Sequence, residues 1–220
     1  MGKTYIVTGC YGSGKTEFCV NFALETRKYS HDKVYIADLD IINPYFRSRE
    51  KAAYLKDFDI EIVGNALNNN TGQDIPAVSY SFLSLVSKGQ NVIIDLAGSD
   101  NGMNLLAGCY DRFTDYELLC VLNLYRPETD SKEKMIDFID GIHSICKLPV
   151  TGIINNSHML HETEAEHILA SQEVVLSVSE ELNLPFKYTQ IKRSVYDKIK
   201  DKILSDSLIF DKPQMRESWQ

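Results

Sequence analysis

Residues 9–16 read Gly9-Cys10-Tyr11-Gly12-Ser13-Gly14-Lys15-Thr16, the pattern G-x-x-x-x-G-K-T. No other stretch restricts the folding of this chain so narrowly. The glycines let the backbone turn tightly, so that several N–H groups converge on one anion. Lys15 supplies a mobile point charge suited to phosphate oxygens. The Thr16 hydroxyl suits a Mg²⁺ shell, and a helix starting here aims its positive end at the same anion. Such a loop requires a strand before it and a helix after it. Lys3–Thr8 is short, apolar and β-branched, as a strand should be. Phe18, Cys19, Phe22 and Ala23 then repeat at helical spacing along one face.

The alternation continues along the chain. Strand-like runs occupy Lys33–Asp38, Asn91–Asp95, Glu117–Asn123 and Val150–Asn155, with a weaker one at Ile60–Val63. Phe186–Thr189 closes the series. Between them, Asp130–Cys146 carries Met135, Ile139 and Ile142 at helical spacing. Thr163-Glu164-Ala165-Glu166 has the capping-box pattern before Ile168, Val175 and Leu182, and Pro185 is expected to stop that helix. Asn65–Gln73 reads as a polar loop. Continuous apolar strands separated by helices predict an α/β fold, three layers α/β/α around a mostly parallel sheet. The expected organisation is one nucleotide-binding domain over 1–205 and a C-terminal tail over 206–220, whose last ten residues, Asp211–Gln220, read as frayed or as a small docking segment.

A chain of 220 residues, 44% hydrophobic and 25% charged, can bury one sizeable core. A net charge of −8 argues against a broad nucleic-acid footprint. The five cysteines include no C-x-x-C pair and sit mostly in apolar runs. With no apolar leader, membrane-length run or basic amphipathic anchor in view, a reduced cytoplasmic setting is expected.

Acidic residues mark the strand ends. Asp38 and Asp40 close the second predicted strand, and Asp95 ends Val92-Ile93-Ile94, followed by Leu96-Ala97-Gly98. Ligands of parallel sheets collect at these C-terminal ends. An apolar strand ending in Asp matches the carboxylate that organises a Mg²⁺ shell, and Gly98 lets its backbone approach a terminal phosphate.

Gly9 to Thr16, Asp38-Leu39-Asp40, Asp95-Leu96-Ala97-Gly98 and Asn155 together resemble MinD/ParA-type P-loop proteins. This SIMIBI-class group also holds the nucleotide domains of cobyrinic acid (CobQ/CobB-type) and dethiobiotin synthetases. The resemblance spans residues 3 to about 200. It implies ATP and Mg²⁺ as cofactors. The implied nucleotide-binding residues are Gly9, Gly12, Ser13, Gly14, Lys15, Thr16, Glu17, Gly98 and Asn155, the asparagine reading adenine. Thr16, Asp40 and Asp95 would serve the metal. Lys15, Asp38, Asp40 and Asp95 would be catalytic, with Asp40, or else Asp38, orienting the attacking water. A guanine-reading N/T-K-x-D is missing: the late strands end in Asn123-Leu124-Tyr125-Arg126 and Asn155-Asn156-Ser157-His158. A slow ATPase switching a protein partner, or forming a nucleotide-dependent homodimer, is the implied function. A small-molecule kinase or ATP-dependent ligase of the dethiobiotin-synthetase type is the alternative.

The chain departs from this family at Cys10, where a second lysine is usual. Arg47 and Arg49 are candidates for the missing charge. His158, His161 and His167 lack a zinc-ligand pattern and read as surface histidines, and the basic stretch Lys187–Lys202 reads as a solvated helix face.

Overall fold

Seven strand-like runs become strands, and an eighth strand joins them. The computed structural model describes residues 2–39, 51–64 and 81–215. In chain order the elements are β1 (Thr4–Thr8), α1 (Lys15–Tyr29), β2 (Val34–Leu39), α2 (Ala52–Lys56), β3 (Ile60–Gly64), α3 (Ser81–Ser87), β4 (Asn91–Leu96) and α4 (Asp100–Ala107). Then follow β5 (Tyr116–Leu122), α5 (Lys132–Ile145), β6 (Gly152–Asn155), α6 (Ala165–Leu182), β7 (Phe186–Lys192), α7 (Arg193–Ile199) and β8 (Asp206–Phe210). They form one sheet in the order β3-β2-β4-β1-β5-β6-β7-β8. Every neighbouring pair is parallel.

Parallel strands need crossovers, and the helices supply them while covering both faces. On one face Val7, Ile36, Ile93, Leu119, Val121 and Ile154 pack beneath Phe18, Cys19, Phe22 and Ala23 of α1. On the other, Ile6, Ile94, Leu118, Cys120 and Ile153 meet Phe82 of α3, Met103 and Leu106 of α4, Met135, Ile139 and Ile142 of α5, and Val175 and Val178 of α6. The result is the expected three-layer arrangement. Adjacent residues of one strand thus belong to opposite cores, which is why the central runs show no polar alternation.

Three local expectations are corrected. The segment expected as a tail begins with a strand: β8 pairs in parallel with β7 from Tyr188↔Asp206 to Lys192↔Phe210. The box at the start of α6 closes one residue later than expected, because the Glu164 N–H donates to His167 Nδ1 at 3.0 Å. Thr163 instead accepts from the Met159 N–H at 2.8 Å. The helix also ends before Pro185, at Asn183 with a left-handed φ of 51°. The expected loop Asn65–Gln73 lies outside the described residues. Among those described, no helix is long and apolar enough to cross a membrane.

Candidate functional site

The sheet order places β1 between β4 and β5, so the loop leaving β1 stands at the middle of the C-terminal edge. This is the point where crossovers run to opposite sides and a crevice opens. Gly12 and Gly14 take left-handed φ values of 72° and 87°, and α1 begins at Lys15. A Cβ on Gly14 would stand 2.2 Å from Asn156 Nδ2. The loop therefore needs glycine both for its turn and for the neighbour packed against it.

When successive N–H groups converge inwards, the carbonyls point outwards and need donors. Three side chains provide them. Lys15 Nζ donates to Cys10 O at 3.3 Å, Arg126 Nε to Gly12 O at 2.7 Å, and Asn156 Nδ2 to Ser13 O at 2.7 Å. Arg126 follows β5 and Asn156 follows β6, so two distant loops hold the outer side of the cradle. Neither residue carries a local sequence pattern that marks it.

Beneath the loop, Asp38 and Asp95 are register partners on β2 and β4. Both are buried. They share the strand parity of Ile36 and Ile93, so they face α1. Cys19 of α1 lies against them. Burial pushes its thiol well above the ordinary value. The Asp95 and Asp38 charges act in the same direction, and Lys15 opposes them. Lys15, Asp38 and Asp95 thus share one buried neighbourhood. Thr16 is buried in the first turn of α1. Asp40, Arg47 and Arg49 lie outside the described residues.

Gly98 packs directly on the cradle: a Cβ there would fall 1.8 Å from Gly9 O. Two other expected residues are committed elsewhere. Asn155 is fully buried on the α6 side, donating to Ser171 Oγ at 3.0 Å and accepting from the Ser157 N–H at 3.0 Å. The Glu17 carboxylate faces the C-terminal segment, not the cradle. It accepts from the Gln214 N–H at 2.8 Å and the Met215 N–H at 2.9 Å, and from Asn21 Nδ2 at 2.7 Å. Burial pushes its carboxyl above the ordinary range, and these donors pull it back.

Several buried polar atoms around the same edge have no hydrogen-bond partner among the described residues: Thr8 Oγ1, Ser13 Oγ, Ser99 Oγ and Asn123 Nδ2. Each sits at the end of a central strand or in the loop that follows one. Buried polar groups are normally satisfied, so an edge that keeps several in reserve fits a polar ligand. A tight glycine-rich turn leading into a helix N-terminus, with one lysine and two nearby carboxylates, fits a phosphate with a divalent cation.

No protein-family profile matches the chain, and no curated protein matches it in sequence. Solved structures do match in shape. Cell division protein FtsY from Thermotoga maritima superposes with a TM-score of 0.56 at 18% identity, over 87% of this chain and 62% of that one. FtsY from Mycoplasma mycoides gives 0.53 at 18%, over 85% and 59%. The fold is that of a P-loop NTPase. The signal recognition particle 54 kDa protein from Aeropyrum pernix, solved in complex with GDP, gives 0.52 at 16%, over 86% and 41%. The chain spans about three-fifths of the length of the FtsY chains it resembles.

Proposed function

We propose that this chain binds Mg·ATP at the 9–16 loop and works as a slow ATPase, a switch of the kind the MinD/ParA resemblance implies. The observation that carries the reading is the stack of loop and carboxylates: the tight glycine turn opening α1 above, Asp38 and Asp95 paired below. In this reading the N–H groups of Gly12, Gly14, Lys15 and Thr16 and the Lys15 ammonium bind and orient the β- and γ-phosphates. Thr16 Oγ1 and Asp95 hold the Mg²⁺ shell. When bound, the cation neutralises charge on the transferring phosphoryl group. Asp38 or Asp40 orients the attacking water. Gly98, seated on Gly9, carries the change at the terminal phosphate into α4, where a protein partner or a second copy reads it.

Adenine is favoured over guanine by the loop after β6, which reads Asn155-Asn156-Ser157-His158. It offers no carboxylate to accept from the N–H donors of guanine. Asn155, held by Ser171 and Ser157, shapes this loop in the observed arrangement. All five cysteines are buried free thiols, which supports a reducing, cytoplasmic setting.

Phosphate release from Mg·ATP and Mg·GTP by the full chain tests the reading. Slow release from ATP, weaker from GTP, and lost in Lys15→Ala is the expected result. Preference for GTP would overturn the base assignment. Rapid release appearing only with an added small-molecule acceptor would overturn the switch in favour of a kinase or ligase.

A further inference from the structure

Arg126 stands at the outer rim of the cradle, in the loop between β5 and α5. Its Nε bond to Gly12 O fixes the plane of the guanidinium, and among the described residues neither terminal nitrogen has a hydrogen bond or ion pair. The loop that carries it is pinned at both ends. The Arg126 N–H donates to Asn123 O at 3.1 Å, and the Thr129 N–H donates to Arg126 O at 2.9 Å. Thr129 Oγ1 donates to Asn123 O at 2.7 Å, and the Tyr125 N–H to Asn123 Oδ1 at 3.0 Å. Tyr125 OH reaches His167 O at 3.1 Å. An arginine on such a backbone loses little freedom when it binds.

Its position selects what it can touch. Cys10, the second residue of the cradle, is neutral: burial pushes its thiol up, and Lys15 and Arg126 are both near enough to pull it back. Two cations therefore stand at the same turn, Lys15 bonded to the Cys10 carbonyl and Arg126 to the Gly12 carbonyl. The phosphate seated among the N–H groups lies within the turn.

We propose that Arg126 binds the terminal phosphate of a nucleoside triphosphate held in this loop, and so makes the site distinguish triphosphate from diphosphate. Its two terminal nitrogens form a planar fork that matches two phosphoryl oxygens, with charge-assisted bonds stronger than neutral ones. The assignment rests on the nucleotide-binding reading above. Its single bond to Gly12 O admits a plainer role, fastening the loop, and the test has to separate the two.

Calorimetric titration of Mg·ATP and Mg·ADP into the full chain and into Arg126→Ala and Arg126→Gln does so, with thermal melts as a check on folding. Gln keeps an N–H donor for the Gly12 carbonyl and removes the charge. The expected result is that both variants lose about tenfold or more in ATP affinity and less than about threefold in ADP affinity. Equal losses for both nucleotides, or a loss in Ala that Gln restores, would make Arg126 a fastener and overturn the proposal. Unchanged ATP affinity would overturn it as well. An unaltered chain that binds neither nucleotide would remove the underlying reading, and the assignment with it; that outcome is visible before any variant is compared.

Discussion

Asp38 on β2 and Asp95 on β4 stand directly across from each other, both buried and both turned towards the start of α1. Two carboxylates in that relation repel unless a cation lies between or beside them. Lys15 supplies part of that charge. Asp95→Asn removes the charge–charge repulsion between the two and keeps the side chain's shape. The metal-free protein should gain about 0.5–1 kcal/mol, a rise in Tm of roughly 1–4 °C. Phosphate release should fall about 100-fold, equivalent to about 2.7 kcal/mol of barrier. A variant that is less stable and equally active would contradict the placement of Asp95 beside the metal.

Gly98 has no room for a side chain. A Cβ would meet the Gly9 carbonyl at 1.8 Å, and both partners are backbone. Gly98→Ala should cost about 1–3 kcal/mol and shift the cradle. Melting curves and ATP titration on the same sample would show both effects together. A stable variant with unchanged affinity would mean that the loop after β4 does not press on the cradle.

Glu17 links the first turn of α1 to the far end of the chain. Its carboxylate holds the N–H groups of Gln214 and Met215, and Met215 packs into the α1-side core. Glu17→Ala leaves these donors without an acceptor, at a cost of about 1–3 kcal/mol. Hydrogen exchange should quicken at Gln214 and Met215 before it changes in β1 or β4. Uniform loss of protection would show that the segment is not a separately fastened strap.

Glu117 provides a pH signature at the opposite end of the sheet. Burial pushes its carboxyl up, but hydrogen bonds from Lys187 and Lys3 outweigh it, so the net position is below the ordinary 4.5. A depressed carboxyl stabilises the fold above the unfolded value, and that contribution is lost as the pH falls through the folded one. The loss belongs below about pH 4.5. Glu117→Gln should lower stability at pH 7 by about 1–3 kcal/mol and flatten the acid limb of Tm against pH. Parallel acid limbs for the two proteins would contradict the assignment.

The two cores, the cradle and the Asp38–Asp95 pair were legible because each leaves a local mark. Ile6-Val7 and Val92-Ile93-Ile94 are continuous because both faces are covered, and Asp95 interrupts such a run. β8 left a weak mark: Asp206-Ser207-Leu208-Ile209-Phe210 is an edge strand with an exposed start. The donors to the cradle left none. Arg126 meets Gly12 across 114 positions, and Asn156 meets Ser13 across 143. Glu17 meets Gln214 across 197. A contact between loops depends on which strands are neighbours, and periodicity carries no record of that. Glu17 looked like part of the phosphate site because it follows Thr16, yet the helix turns its side chain away. Asn155 and Asn156 are adjacent, and strand alternation sends one to α6 and the other to the loop.

The most direct measurement is a thermal-shift panel on the full chain with ATP, ADP, GTP and GDP, each with and without Mg²⁺. A ligand at a hundred times its Kd stabilises by about 2.7 kcal/mol, a shift of roughly 5–10 °C for a domain of this size. A magnesium-dependent shift that is larger with ATP than with GTP, and absent in Lys15→Ala, is the predicted result. No shift with any nucleotide at millimolar concentration, or the same shift in Lys15→Ala, would contradict the account.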